Sequence, residues 1–185
     1  MQLVFPNDDL FAIAVEGISS TEAAGPGRRG EEVADLVLYY GLGDNFSSCK
    51  RLETIQFKYK LSSQAVTAAY LKKTIEKFSD TLLGYEKVFS TADVDQKTSF
   101  IFVTNTDFTS NLWEAIGALK NGSQPSTTGA ATQAKNLNKW CEARGLSDVS
   151  RLFSRTAFRA GEKNLAGQDN SLRRTLTDWS AGADS

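Results

Sequence analysis

The most constraining stretch of this chain is Ser99-Phe-Ile-Phe-Val-Thr104, in which four large apolar residues follow one another without a break. A strand that shows one face to water alternates apolar and polar residues, whereas a short unbroken run belongs to a central strand covered on both faces. The flanking sequence offers partners for it. Leu10 to Glu16, Val33 to Tyr40 and Glu53 to Lys60 read as short strands, the second closed by Gly41-Leu-Gly-Asp-Asn45. Three in succession make a meander. After Ser62-Ser63, either of which can cap, Val66, Tyr70, Ile75, Phe78 and Leu82 recur at helical spacing, predicting an amphipathic helix to about Leu83.

Downstream, Ser110 can cap a helix carrying Leu112, Trp113, Ile116 and Leu119 and ended by Asn121-Gly122. Residues 123–130 read as a Gly/Ser/Thr/Pro linker, and Gly17 to Gly30 as a loop. Thr132 to Arg144, Ser147 to about Phe158, and Ser171 to Trp179 read as three further helices, and Trp113, Trp140 and Trp179 fall among apolar neighbours as core residues. At 185 residues the chain suffices for one well-buried core and is short for two. The expectation is an α/β fold whose mixed sheet core (three-strand meander, helix, buried strand) occupies residues 1–122, with residues 123–185 a helical C-terminal extension of the same domain.

Composition narrows the chemistry. The chain contains no histidine, so hydrolase triads, His-metal nucleases, paired-His ribonucleases and most zinc hydrolases are excluded in their usual form. Its formal charge of −1 gives no global basic footprint, so any nucleic-acid affinity rests on a local patch. Cys49 and Cys141 are far apart and read as reduced thiols. No apolar run is long enough to span a bilayer, and Met1 is followed by Pro6-Asn-Asp-Asp9 where a secretory signal would be apolar, so a cytoplasmic location is expected.

The third strand contains Gln56-Phe57-Lys58, and side chains two apart share a face, so Gln56 and Lys58 project together while Ile55, Phe57 and Tyr59 face the opposite way into a core. Asp35 interrupts the apolar run Val33 to Leu38, and a carboxylate there must be paired or hold a metal. If the two strands pair antiparallel, Asp35, Gln56 and Lys58 converge at one sheet edge. Asp35 and the Gln56 carbonyl oxygen make a hard ligand pair for Mg²⁺, and Lys58 can orient or deprotonate the attacking water. Glu16 is a plausible additional ligand, with Glu31 and Glu32 as rivals. The bland alternative is that Asp35 caps a strand, Gln56 is an exposed amide and Lys58 a solvated lysine.

Asp35 in strand two, Gln56-x-Lys58 in strand three, a basic helix with Lys72, Lys73 and Lys77, and a buried strand ending in Thr104-Asn105 together resemble the PD-(D/E)xK nuclease superfamily, in the variant with Gln at the acidic position. A narrower resemblance is to the double-stranded-DNA endonuclease domains of CD-NTase-associated anti-phage effectors, carried by Ala14-Val-Glu-Gly17, Val33-Ala-Asp-Leu-Val-Leu-Tyr-Tyr40, Ile55-Gln-Phe-Lys-Tyr59, Lys72-Lys-Thr-Ile75 with Lys77-Phe78, and Phe102-Val-Thr-Asn105. It covers roughly the first 120 residues. It implies a restriction-endonuclease-like core, a metal and water site at Asp35, Gln56 and Lys58, Mg²⁺ or a substituting Mn²⁺ as cofactor, and Lys60, Lys72 and Lys73 on the nucleic acid. It further implies a double-stranded DNA substrate, a sensor or ATPase domain or subunit as partner, and oligomerisation for activity. Two other readings stay open: an inactive nuclease-like domain that binds DNA or protein, and a nuclease acting on RNA.

Overall fold

A computed structural model of the protein describes residues 9–15, 35–59 and 64–162. The loop expected at Gly17 to Gly30 and the helix expected at Ser171 to Trp179 lie outside the described residues.

The elements in chain order are β1 (Leu10–Val15), β2 (Leu36–Gly41), β3 (Cys49–Lys58), α1 (Ala68–Glu86), α2 (Thr91–Lys97), β4 (Thr98–Thr104), α3 (Ser110–Asn121), α4 (Thr128–Ala143), α5 (Val149–Ser154) and β5 (Thr156–Arg159). The strands form one sheet in the order β1-β2-β3-β4-β5. The first three pair antiparallel as a meander, and β4 is parallel to both β3 and β5. Parallel neighbours need a long crossover connection; α1 and α2 supply it between β3 and β4. The chain is thus α/β with a five-stranded mixed sheet and the expected order of meander, helix and buried strand.

Every described helix contributes to one core on one face of the sheet. There Leu71, Ile75, Phe78 and Leu82 of α1, all fully buried, meet Val37, Tyr39, Leu52, Phe100 and Phe102, while Leu112, Ile116, Leu137, Leu152 and Phe153 extend the layer. Burying a side chain of this size contributes about 1.5–3 kcal/mol, so α1 is held chiefly by this stripe. On the other face Ile55, Ile101 and Val103 cluster with Leu36, Leu38 and Phe57. The unbroken run in β4 is thereby divided between the two faces, Phe100 and Phe102 to one and Ile101 and Val103 to the other.

Several boundaries differ from the sequence reading, each for a local reason. Val66 leaves the helical pattern to form a parallel bridge with Phe108, so α1 begins at Ala68 and not at Ser62-Ser63. Its Thr67 N-cap makes no side-chain bond, and Gln133 Oε1 of α4 accepts from Ala68 N instead, at 2.7 Å. Thr109 and Thr127 cap α3 and α4 through their hydroxyls, in place of Ser110 and a start near Thr132. The expected helix over Ser147 to Phe158 is a short helix followed by a strand: β5 hydrogen-bonds to β4, and the β-branched Thr156 is buried against it. The C-terminal part is therefore not purely helical. Trp113 is 43% exposed and so is not a core residue, whereas Trp140 packs against the core as expected.

Candidate metal and phosphodiester site

The site starts from where β2 begins. Leu36 is the first residue of β2 and stands in register with β3, opposite Ile55. One residue earlier, Asp35 N donates to Ile55 O at 3.1 Å, and the next donor of β3, Phe57 N, meets a side chain in the place of strand backbone. The Asp35 carboxylate takes that place: Oδ2 accepts from Phe57 N and from Gln56 Nε2, both at 2.6 Å. Asp35 is half-buried and extends the ladder by one residue ahead of the start of β2.

The residues of β3 divide between the two faces, and the division corrects the expectation. Gln56 and Lys58 do share a face, but it is the face of the main helical core, alongside Leu52 and Thr54. Phe57 lies with the smaller cluster on the other side. Gln56 is accordingly 8% exposed. Its Nε2 also lies 3.5 Å from Phe57 O, and its Oε1 is buried with no hydrogen-bond partner among the described residues.

Lys58 reaches toward the first turn of α1, where Nζ donates to Tyr70 O at 2.8 Å and lies 4.5 Å from the Tyr70 ring centroid. It is half-buried. Burial is the largest cause lowering its pKa below the ordinary lysine value, and the nearby charges of Lys73 and Lys77 lower it further. On the adjacent strand Thr104 stands in register with Lys58, fully buried, and its Oγ1 has no hydrogen-bond partner among the described residues.

Of the predicted residues, Asp35, Gln56 and Lys58 therefore come together at the end of β3. Lys73 is exposed on α1 within electrostatic range of Lys58. Lys72 instead lies 4.0 Å from Glu76, which also pairs with Arg144 of the segment after α4, so it belongs to the α1–α4 surface. Glu16, Glu31, Glu32 and Lys60 lie outside the described residues. The sequence reading named Tyr70 only as an apolar helix position and Thr104 only as a strand end. The parallel register of β3 and β4, which places Thr104 beside Lys58, was not readable from either strand alone.

The donor set fits a divalent cation in a minimal form. No group of three or more His, Cys, Asp or Glu gathers among the described residues. Mg²⁺ keeps several waters and often takes only one or two carboxylates from a protein, the remainder coming from substrate phosphate. The Gln56 amide with nitrogen toward Asp35 is the arrangement that satisfies both groups without a cation. Turned about its last bond, the same side chain brings Oε1 toward the carboxylate, an oxygen pair that a cation would make favourable, and the orphaned Oε1 gains a partner. Asp35 and Gln56 are the residues that would hold it.

No protein-family model matches this chain. No curated protein matches it either. Among the described residues no helix is long and apolar enough to cross a membrane.

Proposed function

We propose that the chain is a metal-dependent endonuclease hydrolysing phosphodiester bonds of double-stranded DNA, as the effector domain of a bacterial anti-phage system. The observation that carries the hydrolase reading is the half-buried Lys58 ammonium of lowered pKa, two residues along the same strand face from Gln56, which is itself bonded to Asp35. The choice of DNA and of a defence role rests on the resemblance of the motifs.

In this reading Asp35 and Gln56 would provide oxygen ligands from the end of β3, the Gln56 oxygen from its buried side chain. A Mg²⁺ or Mn²⁺ ion held by Asp35 and Gln56 would supply Lewis acidity toward a phosphate oxygen and would acidify a water. Lys58, with its proton affinity reduced by burial and by Lys73 and Lys77, takes a proton at Nζ from the attacking water in its neutral form. Its ammonium form offsets charge on the pentacovalent phosphorus. The cationic groups of α1 keep a phosphate near Nζ.

The test is incubation of the purified protein with plasmid and with RNA, in Mg²⁺ or in EDTA, for the wild type and Lys58→Ala. Plasmid cleavage that needs Mg²⁺ and falls about 10²-fold or more in the variant is expected. Equal rates in the two proteins would remove Lys58 from the chemistry. Cleavage of RNA alone would change the substrate. Failure of the wild type to cut either would favour an inactive nuclease-like binding domain, a reading that the strand-closing bond from Phe57 N to Asp35 makes physically coherent.

A further inference from the structure

Trp113 stands near the start of α3 and is 43% exposed, while Leu112, Ile116 and Leu119 of the same helix are buried. A tryptophan offers a large rigid apolar surface, and folding normally removes most of it from water. This one is held in place without being covered. The Trp113 and Phe108 ring centroids lie 4.8 Å apart, the Phe158 ring meets Phe108 edge-on at 5.9 Å, and Phe108 is itself buried and tied by a strand bridge to Val66. Trp113 therefore presents the rest of its surface to solvent from a firm aromatic floor.

Two further residues of α3 share its side. Trp113, Gly117 and Lys120 follow at spacings of four and three, which places them in one row along the helix. At Gly117 the row is open: a Cβ there would meet nothing within 4 Å. Lys120 ends the row as a half-buried cation, with Nζ 5.7 Å from the centroid of the Phe158 ring. Burial lowers its pKa below the ordinary lysine value, and it makes no ion pair or hydrogen bond among the described residues. Glu114, on the same helix, is instead bonded to Ser126 and Thr127.

An aromatic ring, an open gap and an unneutralised cation in a row about 10 Å long match the chemistry of unpaired nucleotides, whose stacked bases rise by about 3.4 Å each and whose phosphates attract a cation. Bases of any identity stack on aromatic side chains while basic residues track the backbone. A duplex keeps its base faces inside the stack, so a single strand is the form that fits. The row also begins beyond the carboxyl ends of the parallel strands, the end at which open α/β sheets hold their ligands; Phe108 follows four residues after Thr104, which is in register with Lys58. We propose that Trp113, Gly117 and Lys120 form a binding row for single-stranded DNA, a base stacking on the Trp113 ring and a neighbouring phosphate pairing with Lys120. The choice of DNA over RNA rests on the nuclease reading; the stacking and the pairing do not.

The experiment measures, by fluorescence anisotropy in EDTA, the binding of a labelled thymidine strand of about 12 nucleotides, beside an abasic strand and a uridine RNA of the same length. Trp113→Ala is expected to weaken binding of the thymidine strand about tenfold, the size of one lost stacking contact, and to leave the abasic strand nearly unaffected. Lys120→Gln should weaken both and flatten the dependence of affinity on salt. Gly117→Glu sets a carboxylate in the gap, where a Cβ has room and the new residue is the better helix former. It should melt no lower than the wild type and lose at least as much affinity as Trp113→Ala. Absence of wild-type binding, or wild-type affinity in both Trp113→Ala and Gly117→Glu, would overturn the proposal. Self-association that Trp113→Ala abolishes while strand affinity stays unchanged would overturn it in favour of a contact between copies. Tighter binding of the RNA, lost in the same variants, would overturn the choice of DNA. Binding that follows these expectations in a protein that cuts no nucleic acid would uphold the row and remove the nuclease reading.

Discussion

Replacing Asp35 by alanine separates two roles that the same carboxylate is given above. Two donors, Phe57 N and Gln56 Nε2, converge on Oδ2 at 2.6 Å each, and Gln56 is nearly buried. Hydrogen bonds to a charged acceptor contribute about 1.5–3 kcal/mol apiece. They share one oxygen, and water can reach the half-buried carboxylate, so the two together are worth less than their sum, roughly 2–4 kcal/mol. With a urea dependence of about 2 kcal/mol per molar for a small domain, the midpoint of Asp35→Ala should fall by about 1–2 M. Asp35→Asn keeps one acceptor oxygen and loses the charge, and should fall by about half as much. Chemical denaturation followed by tryptophan fluorescence at neutral pH measures this directly. A carboxylate present only to bind metal would behave oppositely, leaving stability unchanged or improved when removed from metal-free protein. An Asp35→Ala midpoint within about 0.2 M of the wild type would refute the argument that this side chain continues the β2–β3 ladder.

Further expectations concern the metal, assembly and pH. Calorimetric titration of Mg²⁺ should show binding to the wild type and none to Asp35→Asn; equal affinities would move the ion elsewhere, to Glu31 or Glu32 among the rivals. Gln56→Glu should lower the Mg²⁺ concentration for half-maximal cleavage without raising turnover, because the added charge also repels the phosphate and holds Lys58 protonated, whereas Gln56→Ala should be nearly inactive at every Mg²⁺ level; wild-type behaviour of the alanine variant would place Gln56 outside the site. Specific activity should rise when the protein is dimerised through a fused coiled coil, since cutting a duplex takes two active sites, and a value unaffected by fusion or concentration would argue against oligomeric activation. Glu114 accepts from Ser126 and Thr127 at the start of α4, and the Ser126 hydroxyl, then Thr127 N, lead the causes that hold its pKa down to about 2. A depressed carboxylate pKa contributes stability above the ordinary value of about 4.3 and loses it as pH falls through about 2, so the melting-temperature gap between wild type and Glu114→Gln should be open at pH 6 and closed near pH 2.

What the sequence made legible followed periodicity and contrast. The apolar run of β4 and the period of two in β3 located the central pair, and a lone carboxylate among apolar residues drew attention to Asp35, which does meet Gln56. Period two says which side chains share a face and not which face is covered. In β3 both faces are apolar, Leu52 on one and Ile55 with Phe57 on the other, so Gln56 was expected away from the core and lies within it. The six-residue α5 and four-residue β5 merged into one expected helix because a segment that short carries less than two helical turns of pattern, and α2, at seven residues with only Val94 buried, shows no apolar stripe. The nearness of Thr104 to Lys58 was not legible because it depends on register between strands separated by a helical crossover.

The bond from Ala68 N to Gln133 Oε1 joins residues 65 apart in the chain, and it sets an order of events during synthesis. Asp35, Gln56 and Lys58 are all translated before residue 133. The turn of α1 that presents Tyr70 O to Lys58 receives its cap only when residue 133 of 185 has been made and α4 has docked. A chain that ends between Lys58 and Gln133 therefore carries Asp35, Gln56 and Lys58 while lacking the side chain that caps the turn on which the lysine rests.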